Sequence, residues 1–170
     1  MSGPTGPTSR PADPESTAVV VYRDGARWQV ELLPEVLAED LDGLCDAVRQ
    51  QPGEGGSFAL VDVAHEFFVA VRLLQGREMV LLSDVTAAVA WDLAVQVLDQ
   101  LDLDVPGDDD LEEVWPAGDL GMFADLGLDE MELGAILADV DAYADEMLTA
   151  LAGRLGFAGA WERVVEAPVG

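Results

Sequence analysis

His65 is the one histidine in the chain, and Glu66 follows it directly. An imidazole titrates near neutrality, so a histidine beside a carboxylate has the makings of a general base. Such a base also needs a nucleophile and an orienting partner, and no local pattern supplies either. Ala64-His65-Glu66 falls between two β-like runs, where the polar side chains of a tight turn are expected to face water. Cys45, the one cysteine, sits among the apolar positions of a helical stripe. There it is expected to pack as a small apolar residue, not to act as a thiolate. No GxSxG elbow surrounds a serine, and neither GxxxxGK[ST] nor GxGxxG is present. One Cys and one His exclude zinc fingers, disulfide frameworks and most metal sites built from several such ligands. No catalytic, cofactor-binding or metal-binding residue is assigned, and no cofactor is expected.

The carboxylates are the remaining candidates. Asp102, Asp104, Asp108, Asp109, Asp110, Glu112 and Glu113 crowd one segment, with Trp115 just beyond them. A calcium-binding EF-hand loop needs oxygen ligands at fixed positions around a central glycine. This segment lacks that glycine and carries Pro106 instead. The expected roles are a solvated acidic loop or, through these seven acids and Trp115, a partner-binding segment. Trp161 near the end is a second aromatic that could anchor an interface or pack on its own domain.

The charge pattern is broader than that loop. Thirty-four Asp and Glu stand against eight Arg, for a net charge of −26 over 170 residues. From Glu78 through Gly153 there are twenty acids and no Arg, Lys or His. Direct nucleic-acid binding, which relies on basic residues displacing counterions, is excluded, and so is docking to an anionic membrane. Half of the residues are apolar, enough for a folded core. A basic protein surface is the partner such a charge distribution would attract and select. The N-terminus carries no apolar signal-peptide core, and no run of about 18 apolar residues could span a membrane. With a single unpaired cysteine, a cytoplasmic location is expected.

The elements that must position these residues are readable in outline. Residues 1–16 hold four Pro and two Gly and are expected to form a disordered leader. Thr17–Tyr22 is β-rich, Asp24-Gly25 signals a hairpin, and Trp28, Val30 and Leu32 alternate on the return strand. Leu37, Leu41, Leu44 and Val48 mark one face of a helix entered at Pro34 and stopped by Pro52-Gly53. Runs at 58–63, 67–74 and 79–83 have connections too short for crossover helices, so they must pair antiparallel. A well-buried helix is expected over roughly 85–101, capped by Ser83 or Asp84. These elements make an α+β core over 17–101, in ββαβββα order, with an antiparallel sheet of about five strands and helices on one face. An acidic loop (102–118), a helical C-terminal part (119–157) and a tail (158–170) follow.

The segments FALVDVAHEFFVAVR, LLSDVTAAVAWDLAVQVLDQLDLD and PAGDLGMFADLGLDEMELGAILADVDAYADEMLTALAGRLGF resemble the actinobacterial tRNA adenosine deaminase-associated proteins. The resemblance spans about 58–157. Its specific parts are SDVTAA, the acidic loop leading into PAGDLG, and the closing pattern that ends in LGF. It implies a link to the deaminase, chiefly through gene neighbourhood, and brings no catalytic residues. The chain does not fit the zinc deaminase itself. That chemistry needs an H/C-x-E motif with P-C-x-x-C, whereas His65 directly precedes Glu66 and Cys45 is alone. The expected function is a non-enzymatic acidic accessory protein of tRNA modification that binds a basic protein, with tRNA adenosine deaminase the candidate. The alternative is an adaptor, chaperone-like binder or nucleic-acid mimic unconnected with tRNA.

Overall fold

The computed structural model describes residues 16–24, 27–51, 57–74, 76–107, 116–139 and 141–165. The leader (up to residue 15), the turn glycine Gly25 and most of the acidic loop lie outside the described residues.

The β-branched runs form the sheet. Strands β1 (Thr17–Asp24) and β2 (Arg27–Leu32) pair antiparallel, with Val21 opposite Val30 and Asp24 opposite Arg27. β3 (Phe58–Val63), β4 (Phe67–Leu74) and β5 (Arg77–Leu82) form a meander, and β3 returns alongside β1. A two-residue strand, β6 (Ala117–Gly118), adds an edge beside Leu81 and Leu82. The sheet therefore has six antiparallel strands in the order β2-β1-β3-β4-β5-β6. Its sixth strand comes from the segment expected to be loop.

Helices cover both faces of this sheet, not one. α1 (Leu41–Arg49) and α2 (Asp92–Gln100) pack Leu44, Val48, Val97 and Leu98 onto Val20, Ala59, Val61, Val69 and Val71. The opposite face carries Val19, Val21, Phe58, Leu60, Phe68 and Ala70. It is covered by α3 (Glu130–Leu137), α4 (Ala144–Leu155) and α5 (Ala158–Val165). Two cores thus share one sheet. The physical reason lies in β3 and β4, which are apolar at nearly every position instead of alternating, as strands buried on both sides must be.

Helix boundaries shift from the expected ones. A 3-10 turn at Glu35–Glu39 precedes α1, which starts where the Asp40 carboxylate accepts the Gly43 N–H at 3.2 Å. The expected 85–101 helix is broken at Ala90-Trp91. A 3-10 turn spans Val85–Val89, the extended Trp91 follows, and α2 begins at Asp92. Asp84 is the cap, accepting the Thr86 N–H at 2.9 Å, while the buried Ser83 hydroxyl accepts the Phe68 N–H. Leu32 departs from its strand pattern and is 59% exposed. Trp161 is buried at 2% exposure in α5, which settles its role as packing. Among the described residues, no helix is long and apolar enough to cross a membrane.

Candidate partner interface

Two of the contacts that hold the acid-rich half of the chain to the sheet are made by Arg72 and Gly118. Arg72, 1% exposed on β4, donates to the Met122 carbonyl at 2.6 Å and makes a two-pronged pair with Asp125 at 2.5 and 2.8 Å. Gly118 lies so close to β5 that an added Cβ would come within 2.1 Å of the Val80 carbonyl oxygen. Its φ of +117° also lies where side-chain-bearing residues are strained. Next to it, Asp119 donates its N–H to that same carbonyl at 3.0 Å. The chain leaving the acidic segment is thereby fixed in place.

Of the partner-binding candidates, Asp102 and Asp104 lie within the described residues, and both are exposed. Asp108, Asp109, Asp110, Glu112, Glu113 and Trp115 lie outside them. Asp102 has a structural duty as well. With φ at +60° it ends α2. Its N–H bonds the Asp99 carbonyl, and the Leu103 N–H bonds the Leu98 carbonyl. That double bond pattern is the Schellman cap, whose left-handed position is usually glycine.

The acids farther along gather at α3 and α4. Asp129 caps α3 reciprocally with Glu132. Between these two helices runs a groove of about 440 Å³, walled by the apolar Ile136 and Met147 and rimmed by Glu132, Asp139, Asp141 and Glu146. Arg154 closes one end by pairing with Glu132. Nearby on the same helices, Met131 is 85% exposed, and Tyr143, the N-cap of α4, is 68% exposed. Within the acid-only stretch, arginine pairs reach Glu78 from Arg49, Asp119 from Arg77, Asp125 from Arg72 and Glu132 from Arg154. Among the described residues, no arginine lies in ion-pair range of Asp102, Asp104, Asp139, Asp141 or Glu146. This surface can attract a cationic partner electrostatically and offer it apolar contact.

Sequence spacing could not reveal what surrounds His65. Ala64 and His65 both take left-handed backbone conformations, with φ of 53° and 61°, in the tight β3–β4 turn. The Asp62 carboxylate accepts the His65 backbone N–H at 2.9 Å, and its other oxygen lies 2.6 Å from the ring Nδ1. Asp145, in the first turn of α4, brings an oxygen within 3.6 Å of the same Nδ1. Burial pushes the Asp62 carboxyl above its usual range, against the downward pull of His65. The signal that could have found this was a single acid in the otherwise apolar run FALVDV. The neighbouring Glu66 does not make the pair that adjacency suggested. Cys45 is buried, and that burial, reinforced by Glu78, pushes its thiol up to about 11.

Comparison with known proteins identifies relatives of this chain. The family model described as Rv3753c-like tRNA adenosine deaminase-associated protein matches residues 16–158. Protein Rv3753c of Mycobacterium tuberculosis (strain ATCC 25618 / H37Rv) is 39% identical over 161 residues, covering 92% of each chain. No solved structure matches. From β1 to the start of α5, the chain belongs to the Rv3753c-like tRNA adenosine deaminase-associated protein family.

Proposed function

We propose that this protein is a non-enzymatic, acidic accessory factor of tRNA modification that acts in the cytoplasm by binding a basic protein surface, with tRNA adenosine deaminase as its partner. One observation carries the reading: twenty acids and no basic residue between Glu78 and Gly153. Self-repulsion on this scale works against a compact fold, and a cationic partner would relieve it. Complementary charge also speeds encounter and rejects wrong partners. The acid-rimmed groove between α3 and α4, with Met131 and Tyr143 exposed on the same helices, supports a protein partner over a small ion. The absence of catalysis in this reading rests on the sequence, where His65-Glu66 and the lone Cys45 do not form the deaminase motifs.

The test is to mix the purified full chain with purified deaminase at low ionic strength and again at high salt. Co-elution at low salt that disappears at high salt is expected, because screening shortens the reach of exposed charges. No association at low salt sinks the proposal. Capture of a polymerase, nuclease or other basic protein from the host, without the deaminase, would favour the adaptor or nucleic-acid-mimic alternative.

A further inference from the structure

We propose that Asp62, His65 and Asp145 form a binding site for one divalent transition-metal ion, with Zn²⁺ as its best match, that ties the β3–β4 turn to the start of α4. The proposal is independent of the partner reading. One ligand atom from each residue lies within 4.8 Å of the others. An imidazole nitrogen with two carboxylate oxygens is a donor set that suits a borderline metal such as zinc.

Both carboxylates approach the same ring nitrogen. A proton on Nδ1 can serve Asp62 at 2.6 Å, but Asp145 at 3.6 Å is beyond a hydrogen bond. A cation in place of that proton would engage all three groups. Zinc sits about 2.0–2.2 Å from such ligands, which in a tetrahedron puts neighbouring ligand atoms about 3.3 Å apart. The Nδ1–Asp145 separation is already near that value, and the Nδ1–Asp62 separation would widen by about 0.7 Å.

The setting favours a dication. The Asp62 side chain is only 4% exposed, and a second carboxylate faces it across the imidazole. A buried carboxylate is costly unless positive charge compensates it. The His65 and Asp145 side chains are 42% and 44% exposed, which leaves an entry path and room for a water ligand. The backbone already joins the two elements, since the Ala144 N–H donates to the His65 carbonyl at 3.1 Å. A metal would add a second tie at the same junction.

The experiment uses the full chain, stripped with a chelator and titrated with Zn²⁺ by calorimetry in physiological salt with excess Mg²⁺. Magnesium occupies the diffuse acidic surface but has little preference for imidazole. One equivalent of Zn²⁺ is expected to bind and to raise the melting temperature. Asp145→Asn and His65→Gln should each weaken binding at least about tenfold and abolish the thermal shift. The exposed pair Asp42→Asn and Glu162→Gln should leave both unchanged. Co²⁺ in place of zinc should give visible absorption bands that vanish in Asp145→Asn. Because Asp145 is partly exposed, that variant keeps the test valid if His65→Gln perturbs the turn. Absence of saturable Zn²⁺ binding, or binding undiminished in Asp145→Asn, overturns the site.

Discussion

Arg72 and Asp125 meet in a two-pronged ion pair in which the guanidinium is buried on the sheet and the carboxylate is half exposed. The arginine has no exit to water, so its fixed charge is what the turn at 119–126 must satisfy. Arg72→Met should destabilise the fold by about 2–4 kcal/mol, since the Met122 carbonyl and Asp125 both lose a partner. Urea unfolding measures this directly, and a change below about 0.5 kcal/mol would show that the pair does not hold the turn.

The same pair sets an acid limit. The Arg72 guanidinium holds the Asp125 carboxyl below its usual range. A carboxylate depressed in the folded state adds stability above its unfolded pKa of about 4, and that stability is lost as pH falls through the lower folded value. Asp125→Asn should therefore be less stable than the parent at pH 7 and should approach it as the pH falls below the usual carboxylate range. Parallel stability curves for the two proteins across this range would contradict the assignment.

Gly118 is required by space and by backbone angle together. Gly118→Ala should cost about 2–4 kcal/mol, because the Cβ meets a backbone carbonyl that cannot swing aside. Amide exchange should then accelerate at Leu81 and Leu82, the residues that β6 covers. Unchanged protection there would mean that the edge strand tolerates the side chain.

Asp102→Gly should stabilise by about 0.5–1 kcal/mol, since glycine takes the left-handed cap without strain. If Asp102 also contacts the partner, the same change weakens association while the protein grows more stable. A gain in stability with undiminished association would confine Asp102 to capping.

Cys45 should react slowly with thiol reagents in the native protein. Its thiol is buried and stays protonated well above neutral pH. Ellman's reagent should label it at the pace of unfolding, and fast labelling at pH 8 would disprove this.

The strands were legible because β-branched runs and connections of two or three residues leave antiparallel pairing as the only route. α1 was legible because Leu41, Leu44 and Val48 keep helical spacing. Two-sided burial was written in FALVDV and FFVAVR, whose continuous apolar character asks for cover on both faces. β6 escaped because two residues carry no periodicity; only contact with β5 makes them a strand. The break at Trp91 was hidden because its apolar neighbours fit a helix equally well. The surroundings of His65 were out of reach for another reason: Asp145 follows all six strands and three helices in the chain and joins it only through the fold. The arginine in FFVAVRLL and the aspartate in FALVDV were the readable exceptions: Arg72 holds the distant turn at Met122 and Asp125, and Asp62 fixes His65 in the β3–β4 turn.

The two cores that share the sheet are completed at different moments of synthesis. Everything that covers the first face has left the ribosome once α2 is made. The second face, with Phe58, Leu60, Phe68 and Leu81, stays bare until the last helices follow. For that interval the nascent chain presents a sticky sheet tethered to the machinery that produces it. The acid-rich segment emerges next, ahead of the helices that cover that face.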